Sequence, residues 1–373
     1  MKILHAGNLV NVGYLTTKQL RINNIDAELL LDPSGSDPAK LDPDLKNSIP
    51  DWCIQYSRKK SFWKLKILKT MRKKKYDLIH AYVELPIFAY FSGKKFIVQA
   101  LGSDFREMAT SNSLRGFILR RAYKKAKVIL FSMPDHIPIY NKLGLKNGIF
   151  FPLLVDPSLF KPKKVDRGEL SNKFLVLHAT NLDWKLKGND ILINAFANFV
   201  KTNPKSILII IERGVDSKRT LQLVNSLKIK ENVKFVKGPL NSIDLQHYFN
   251  LVDVVAESFI FPAMSGITNE SLCCEKPVIT NYPKKAFEGA YPEHPPVLNA
   301  SNAKEVYEHL VSLKDKKKRE DIGKKGREWI TKYNDPTFYC DKLKIIYESI
   351  LNGNNIEKIR KNLSEISITN KIS

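Results

Sequence analysis

Two charged residues stand at junctions between predicted strands and helices, where they could bind the charged and hydroxylated parts of a ligand. The first is Lys187, which lies between a predicted strand over residues 174–178 and a predicted helix over 191–199. Its ammonium group could meet a diphosphate there as a point charge, with the helix dipole adding to the same field. A solvated loop lysine is an equally good interpretation of the position alone.

The second residue is Glu270, four residues into a helix predicted to begin near Gly266. Because a carboxylate only accepts hydrogen bonds, it could bind both hydroxyls of a ribose. The alternative is a glutamate that is favoured there by the helix dipole. Free backbone N–H groups at a helix N-terminus bind phosphate oxygens, so the residues that open this helix are candidates too. They are Ser265, Gly266, Ile267 and Thr268.

Another glycine-bearing loop follows the predicted strand 2–6 and contains Asn11 and Gly13, ahead of a predicted helix over 14–20. Glycine lets the backbone approach a ligand at a helix N-terminus. The loop lacks the G-x-G-x-x-G pattern of dinucleotide-binding turns. A tight strand-to-helix turn therefore explains it as well as an acceptor or phosphate loop does.

Short apolar runs that alternate with segments of helical period position these candidates, and this pattern is typical of buried parallel strands joined by crossover helices. The strands predicted in the first half are 2–6, 27–31, 77–82, 96–101, 127–131 and 148–151. Those in the second half are 174–178, 206–211, 233–236, 254–256, 277–280 and 297–298. Two successive arrays predict two doubly wound α/β domains, with a ligand cleft beyond the carboxyl ends of their strands.

Turn residues and charges concentrate over residues 156–172, where we expect the domain boundary, near Leu170. This predicts a first domain over 1–169 and a second over 170–336. Residues 337–351 have the apolar spacing of a packed terminal helix. Residues 352–373 are polar and are expected to form a weakly ordered tail.

Composition narrows the class of protein. The chain has 373 residues, 43% of them hydrophobic, which indicates globular domains with sizeable cores. Lys and Arg number 61 against 38 Asp and Glu, so the net charge of +23 predicts a polyanionic partner. The candidates are nucleic acid, an anionic membrane surface and phosphorylated substrates. Nucleic acid ranks last because no zinc finger or basic strand motif with interleaved aromatic residues occurs.

Three features of the sequence bear on the cellular compartment of the protein. No run of about 18 apolar residues could span a bilayer, and the N-terminal apolar run is too short for a signal peptide. The cysteines, Cys53, Cys273, Cys274 and Cys340, suit neither a zinc site nor a disulfide framework. We therefore expect a cytoplasmic protein with at most a peripheral membrane contact.

One segment concentrates the positive charge. Residues 58–75 contain ten basic residues and no acidic one. The apolar residues of this segment recur at helical spacing, and they are Phe62, Trp63, Leu65, Ile67, Leu68 and Met71. Such a helix could lie in an anionic lipid interface, or it could pack on the sheet and leave a solvated basic face, and both can hold together. A second basic face is formed by Arg115, Arg120, Arg121, Lys124, Lys125 and Lys127.

The chain resembles the retaining GT-B glycosyltransferases of family four, the glycosyl transferases of group 1. The resemblance covers most of the chain and is carried by Lys2–His5, Gly102–Asp104, Val155–Pro162, Lys187–Gly188, Val233–Gly238, Tyr248–Val254 and Glu270–Ile279. It implies two Rossmann-like domains facing a cleft, an acceptor-side first domain, a donor-binding second domain and a terminal helix that crosses back to the first. The implied reaction moves a sugar from a nucleotide diphosphate sugar to a glycan or lipid-linked acceptor with retention of anomeric configuration.

The resemblance also implies roles for individual residues. Lys187 would contact the donor diphosphate and act in catalysis, Asp104 would be catalytic, and Glu270 would bind the donor ribose. Asn181 stands where the family commonly has an arginine, and Lys185 would substitute for that charge.

Two further positions depart from the family pattern. Pro262 stands where many members carry a first glutamate, and Leu101 replaces a histidine. Together with Asn181, they motivate an alternative function, a catalytically silent relative that acts as a binding or scaffold protein on a membrane or glycan.

We predict no essential metal and no cofactor besides the nucleotide sugar. Asp42-Pro43-Asp44 spells a metal motif of another glycosyltransferase fold, but its proline-rich setting, without a preceding apolar strand, favours a turn. The seven histidines show no close spacing of the kind that metal ligands need.

Overall fold

The computed structural model describes residues 1–33, 49–262, 264–288 and 290–369. They form two compact units, one made of Met1–Leu154 with Pro336–Ser373 and the other of Val155–Asp335. The predicted turn at Asp42–Asp44 lies outside the described residues.

The first unit is built on a parallel sheet whose seven described strands run in the order β3-β2-β1-β4-β5-β6-β7. The strands are β1 Lys2–Ala6, β2 Asp26–Leu31, β3 Cys53–Gln55, β4 Leu78–Tyr82, β5 Phe96–Ala100, β6 Ile129–Phe131 and β7 Gly148–Phe150. Its helices are Val12–Ile22, Trp63–Met71, Pro86–Ser92, Leu114–Lys125 and His136–Lys142, with a π-helical turn at Asp104–Met108. Strands β4 and β5 are buried along their whole length, which explains their continuous apolar runs.

The second unit repeats this plan with six described parallel strands in the order β10-β9-β8-β11-β12-β13. The strands are β8 Phe174–His178, β9 Ser206–Glu212, β10 Val233–Lys237, β11 Val254–Ala256, β12 Val278–Thr280 and β13 Leu298–Asn299. The helices are Trp184–Lys187, Asn189–Thr202, Ser217–Ser226, Ser242–Leu251, Gly266–Cys273, Ala303–Ser312 and Lys316–Tyr333. Three short 3₁₀ turns complete the unit, Gly168–Leu170, Lys230–Asn232 and Lys284–Phe287. Both strand orders are doubly wound, so the predicted α/β class with two Rossmann-like domains is confirmed.

The units divide between Leu154 and Val155, whereas the sequence placed the boundary near Leu170. Val155 and Phe160 are both buried in the core of the second unit, and the rings of Phe160 and Phe249 lie 6.0 Å apart. Turn residues mark the segment as a loop, but its few apolar side chains determine which core it joins.

The helix Pro336–Leu351 belongs to the first unit, where Leu343, Ile346 and Ile350 share a core cluster with Ile3 of β1. The hydroxyl of Tyr347 lies 2.8 Å from Nδ1 of the buried His80.

Residues 356–369 differ from the expected weakly ordered tail, because they form a helix, Ile356–Thr369. Ile359 is buried in the core cluster of the first unit, and Ile356 and Leu363 pack against it. Apolar residues three and four positions apart lie on one helix face, so this polar segment still buries an apolar stripe.

None of the described helices is long and apolar enough to cross a membrane. Across the described ranges, no group of three or more His, Cys, Asp or Glu side chains is placed to hold a metal ion. The four cysteines are buried and unbridged.

Candidate functional site

The site lies at the carboxyl edge of the second sheet, where β8, β11 and β12 end side by side. Val255 pairs with Leu177 of β8 on one side and with Val278 of β12 on the other. The residues that follow these strands therefore meet at one edge, which is where doubly wound sheets bind ligands.

Glu257 directly follows β11 and organises this edge. Its side chain is only 1% exposed. Oε1 accepts hydrogen bonds from the Thr180 hydroxyl at 3.1 Å and the Lys187 ammonium at 3.3 Å. Oε2 lies 3.4 Å from the Thr280 hydroxyl, which shares its hydrogen with the Ser258 carbonyl at 3.2 Å. One cation and two hydroxyls thus compensate the buried carboxylate, as a buried charge requires.

Lys187 ends the short helix Trp184–Lys187 and is held through its backbone as well. Its carbonyl accepts a 2.8 Å hydrogen bond from the backbone N–H of Phe259. Gly188 follows with φ of 66°, and a Cβ there would lie 3.0 Å from side-chain carbons of Ile191 and Ile260. Only glycine allows this close approach without strain. The Lys187 side chain remains 25% exposed, so its ammonium can reach a ligand while it contacts Glu257.

His178, the last residue of β8, links the end of β11 to the start of the helix Asn189–Thr202 through hydrogen bonds. Its Nδ1 lies 2.8 Å from the carbonyl oxygen of Ala256, and its Nε2 lies 2.7 Å from the side-chain amide nitrogen of Asn189. A carbonyl only accepts and an amide NH₂ only donates, so these partners assign the proton to Nδ1. Burial lowers the pKa of His178 to about 4, so it stays neutral. The Asn189 amide also donates to the carbonyl of Asn181 at 3.1 Å, which fixes the loop before Lys187.

The helix Gly266–Cys273 connects β11 with β12 and begins at the same edge. The Ser265 hydroxyl caps it by accepting from the backbone N–H of Thr268 at 3.3 Å. Ser265 therefore serves as the N-cap, and the N–H groups of Gly266 and Ile267 are those that a helix start leaves for a ligand. Glu270 is partly exposed one turn further along this helix. Lys185 is exposed on the short helix that ends at Lys187.

In the first unit, Asp104 is completely buried beside the carboxyl end of β5. Its Oδ1 accepts from the backbone N–H groups of Leu101 and Gly102 at 3.2 and 2.8 Å, and its Oδ2 accepts from the Tyr123 hydroxyl at 3.2 Å. Burial raises the pKa of Asp104 to about 6 although these hydrogen bonds favour the charged form. The contacts give Asp104 a role in ordering its loop, and its catalytic role stays a prediction.

The loop of Asn11 and Gly13 is a tight turn after β1. A Cβ on Gly13 would lie 2.1 Å from the carbonyl oxygen of Gly7, so the helix start approaches the strand end too closely for any other residue. Asn11 has a φ of 65°, and its Oδ1 accepts from the Asn8 amide at 3.4 Å. Packing alone accounts for Gly13, and a role in acceptor binding stays a prediction.

A cavity of about 550 Å³ lies at the opposite edge of the second sheet, at the start of β8 and β12. It is lined in part by Asp253, whose carboxylate pairs with Arg167 at 3.2 Å and Arg319 at 3.4 Å. None of the residues assigned above to the candidate site lines it. The candidate site is therefore identified by its chemistry and not by the size of a cavity.

The sequence predicted Lys187 as a site residue but did not indicate its partner Glu257, nor Thr180, Thr280 and His178, which lie around it. One signal was available for Glu257, since it is a charged residue directly after the apolar run of β11. No local pattern marked Thr180 or Thr280 as partners of Glu257, because β8 and β12 bring these threonines to it from distant parts of the chain.

Residues 160–329 match the family model described as "Glycosyl transferases group 1". The match spans 170 of the 373 residues and lies within the second unit. No curated protein matches the chain by sequence.

Solved structures extend the likeness to both units of the chain. HepE of Anabaena in complex with UDP and glucose is 17% identical, with a TM-score of 0.74 over 94% of this chain and 100% of that one. Sucrose-phosphate synthase of Thermosynechococcus elongatus is 14% identical, with a TM-score of 0.72 over 95% and 100%. WaaG, a glycosyltransferase involved in lipopolysaccharide biosynthesis, is 14% identical, with a TM-score of 0.63 over 91% and 98%. At these identities the likeness establishes the fold, which is GT-B.

Proposed function

We propose that this protein is a glycosyltransferase that moves a sugar from a nucleotide diphosphate sugar to a glycan or lipid-linked acceptor with retention of the anomeric configuration. The observation that carries the proposal is the partly exposed ammonium of Lys187, held against the buried carboxylate of Glu257 at the carboxyl edge of the second sheet. The UDP and glucose bound to HepE, as its structure is described, support a nucleotide sugar as the donor.

The reaction breaks the bond between the sugar and the diphosphate, and negative charge gathers on the departing diphosphate. Lys187 and the N–H groups that open the helix Gly266–Cys273 would stabilise this charge. Because Glu257 is buried, it acts through Lys187, as a positioning residue that fixes the ammonium before the donor arrives. Glu270 would accept hydrogen bonds from the ribose hydroxyls. No metal is required in this proposal, since the cation is supplied by the lysine.

The acceptor would be bound mainly by the first unit, at an anionic membrane surface on the cytoplasmic side. Support comes from the charge of residues 58–75, in which Lys66, Lys69 and Lys73 are exposed. Two members of the segment are committed elsewhere, because Arg58 pairs with Glu84 and Lys75 pairs with Glu28.

The test is a screen of nucleoside diphosphates by calorimetry and thermal unfolding, followed by a transfer assay with the tightest nucleotide sugar. At least one nucleotide should raise the melting temperature, and the rise should grow as the nucleotide concentration exceeds its dissociation constant, because the ligand binds the folded state. Transfer should persist in EDTA, and NMR of the product should show the donor's anomeric configuration.

The possible outcomes separate the two functions. If no nucleotide shifts unfolding, donor binding is refuted. Binding without transfer or hydrolysis would instead identify the scaffold function. Loss of transfer in EDTA would refute the metal-free reaction.

A further inference from the structure

Two pairs of large apolar side chains are exposed on the helical layer of the first unit. Phe62 and Leu65, at the start of the helix Trp63–Met71, are 77% and 60% exposed. Leu114 and Phe117, at the start of the helix Leu114–Lys125, are 75% and 47% exposed. We call these four residues the apolar pairs. Leu114 and Phe117 are three residues apart within one helix, so they lie on one side of it. Phe62 is the N-cap residue directly before the helix that carries Leu65.

The two helices belong to one layer, because the helix Pro86–Ser92 packs against both. Their inward side chains, among them Ile67, Ala89 and Leu119, share one core cluster on one face of the sheet. Packed helices lie about 8–10 Å apart, which places the outer two about 20 Å apart. Each crossover helix begins near the carboxyl edge of a parallel sheet, so both apolar pairs lie towards that edge.

The surroundings of the apolar pairs are strongly basic. The three helices contain no acidic residue. Their exposed cations are Lys64, Lys66, Lys69, Arg115, Arg121, Lys124 and Lys125. The guanidinium of Arg121 lies 5.1 Å from the ring centre of Phe117, so charge and apolar surface are in direct contact. Apolar side chains among lysines and arginines are typical of helices that lie in the interface of an anionic bilayer.

We propose that this three-helix surface docks on an anionic lipid bilayer and inserts the apolar pairs among the lipids. The inference rests on the proposed function and deepens it, because insertion holds the carboxyl edge of the first sheet at the lipid surface. That edge is where a doubly wound sheet binds its ligand, so the acceptor is a lipid-linked molecule. Attachment then has two parts, a salt-sensitive attraction by the cations and an apolar part that salt does not screen.

The charge of the surface argues for lipid against other partners. A second copy of the chain docking through the same face would bring like charges together without an acidic residue on the helices to pair with them. Nucleic acid would use the cations but leaves exposed leucines among them unexplained, since base stacking uses aromatic or guanidinium planes.

The first experiment locates the inserted residues with tryptophan reporters. Phe62→Trp and a matched control, Val215→Trp, are mixed with vesicles of phosphatidylglycerol and phosphatidylcholine that carry bromine on the acyl chains. Val215 is 84% exposed in the second unit and lies outside the proposed surface. We expect bromine to quench the added fluorescence of Phe62→Trp and to leave that of Val215→Trp unchanged. Equal quenching of both, or of neither, would overturn the proposal.

The second experiment measures the contribution of each part to attachment. The double variant Phe62→Ser, Leu65→Ser should bind anionic vesicles about tenfold more weakly and lose the attachment that survives high salt. The control Val215→Ser, Ile243→Ser should bind like the wild type. The charge variant Lys66→Gln, Lys69→Gln, Lys73→Gln should lose binding mainly at low salt. Unchanged binding of the first variant, or an equal loss in the control, would refute insertion.

Calorimetry with the nucleotide keeps this test separate from that of the catalytic site. All these variants should bind the nucleoside diphosphate like the wild type, which also shows that they are folded. If the nucleotide does not bind while the reporters are quenched, the donor proposal fails and the membrane surface stands. Transfer to a water-soluble acceptor that is as fast as transfer to the same acceptor on vesicles would overturn the lipid-linked assignment. Binding of duplex DNA in place of vesicles would overturn the surface itself.

Discussion

The ammonium nitrogen of Lys187 lies 3.3 Å from Oε1 of Glu257, a carboxylate that is 1% exposed. The two residues are 70 positions apart in the chain. Lys187 comes after β8 and Glu257 comes directly after β11, and these neighbouring strands end at the same edge of the sheet. Removing one partner of a buried ion pair leaves the other charge uncompensated, which is usually more damaging than the loss of the contact itself. Lys187 and Glu257 therefore have to be tested as a pair.

Lys187→Ala should lower turnover by a factor that corresponds to about 2–4 kcal/mol, the typical cost of removing one group that stabilises a developing charge. It should also lower the melting temperature, because Glu257 then keeps only the two threonine hydroxyls. Steady-state kinetics and thermal unfolding measure the two effects. Lys201→Ala, an exposed lysine on the next helix, is the control and should change neither. Wild-type turnover in Lys187→Ala would remove the lysine from the site.

Glu257→Gln keeps the size of the side chain and removes the charge that holds Lys187. We expect kcat to fall about tenfold while the affinity for the nucleoside diphosphate changes little, because a freed ammonium still attracts phosphate but is poorly placed for the leaving group. Glu212, an exposed residue at the end of β9, offers the matched control Glu212→Gln. If affinity and turnover fell equally, Glu257 would be a binding residue and not a positioning one.

Glu270→Gln should weaken nucleotide binding by about 2–4 kcal/mol if the carboxylate binds the ribose, since hydrogen bonds to a charged acceptor are the strong ones. The comparison uses the same nucleotide without its ribose hydroxyls. Wild type should bind that analogue weakly, and the variant should bind both ligands alike, as a double-mutant cycle requires. Calorimetry measures the affinity of each protein, wild type and variant, for each of the two ligands. If the loss from the substitution and the loss from removing the ribose hydroxyls simply add, the ribose is bound elsewhere.

Stability should fall as the pH is lowered from about 6.5 towards 4. Burial lowers the pKa of His5 to about 3, and of His136 and His178 to about 4, so these side chains stay neutral in the folded protein while the unfolded chain takes up protons. Each such histidine contributes a slope of about 1.4 kcal/mol per pH unit. Asp104 acts in the opposite sense, since its raised pKa of about 6 lets the folded state bind a proton first.

Denaturant unfolding at a series of pH values measures the slope. The variant His178→Asn should flatten it whatever its effect on absolute stability, and His247→Asn, at an exposed position, should leave it unchanged. A stability that is constant between pH 6.5 and pH 4 would contradict the burial of the histidines.

Much of the architecture was readable because the signals are local. A buried parallel strand has to be an apolar run whatever its neighbours are, so β8, β9 and β11 were found in place, and two arrays of such runs predicted two doubly wound sheets. Lys187 and Glu270 were predicted as site residues because each stands beside a strand or helix start that the pattern itself marks, and their roles stay predictions. The short strand Cys53–Gln55 was missed, since three residues at the sheet edge carry too little pattern to be recognised.

Tertiary structure decided what depends on distant partners. Leu154 and Val155 are neighbours in sequence but separate into different cores, and polar residues 356–369 form a helix because Ile359 finds the core of the first unit. The same holds for the site, where three strands of one sheet bring Thr180, Glu257 and Thr280 together. The backbone preference of a segment depends on its own residues, so the sequence can reveal it. The free energy of a buried charge depends on the groups that packing brings within hydrogen-bond distance, and those groups lie elsewhere in the chain, where no local pattern can indicate them.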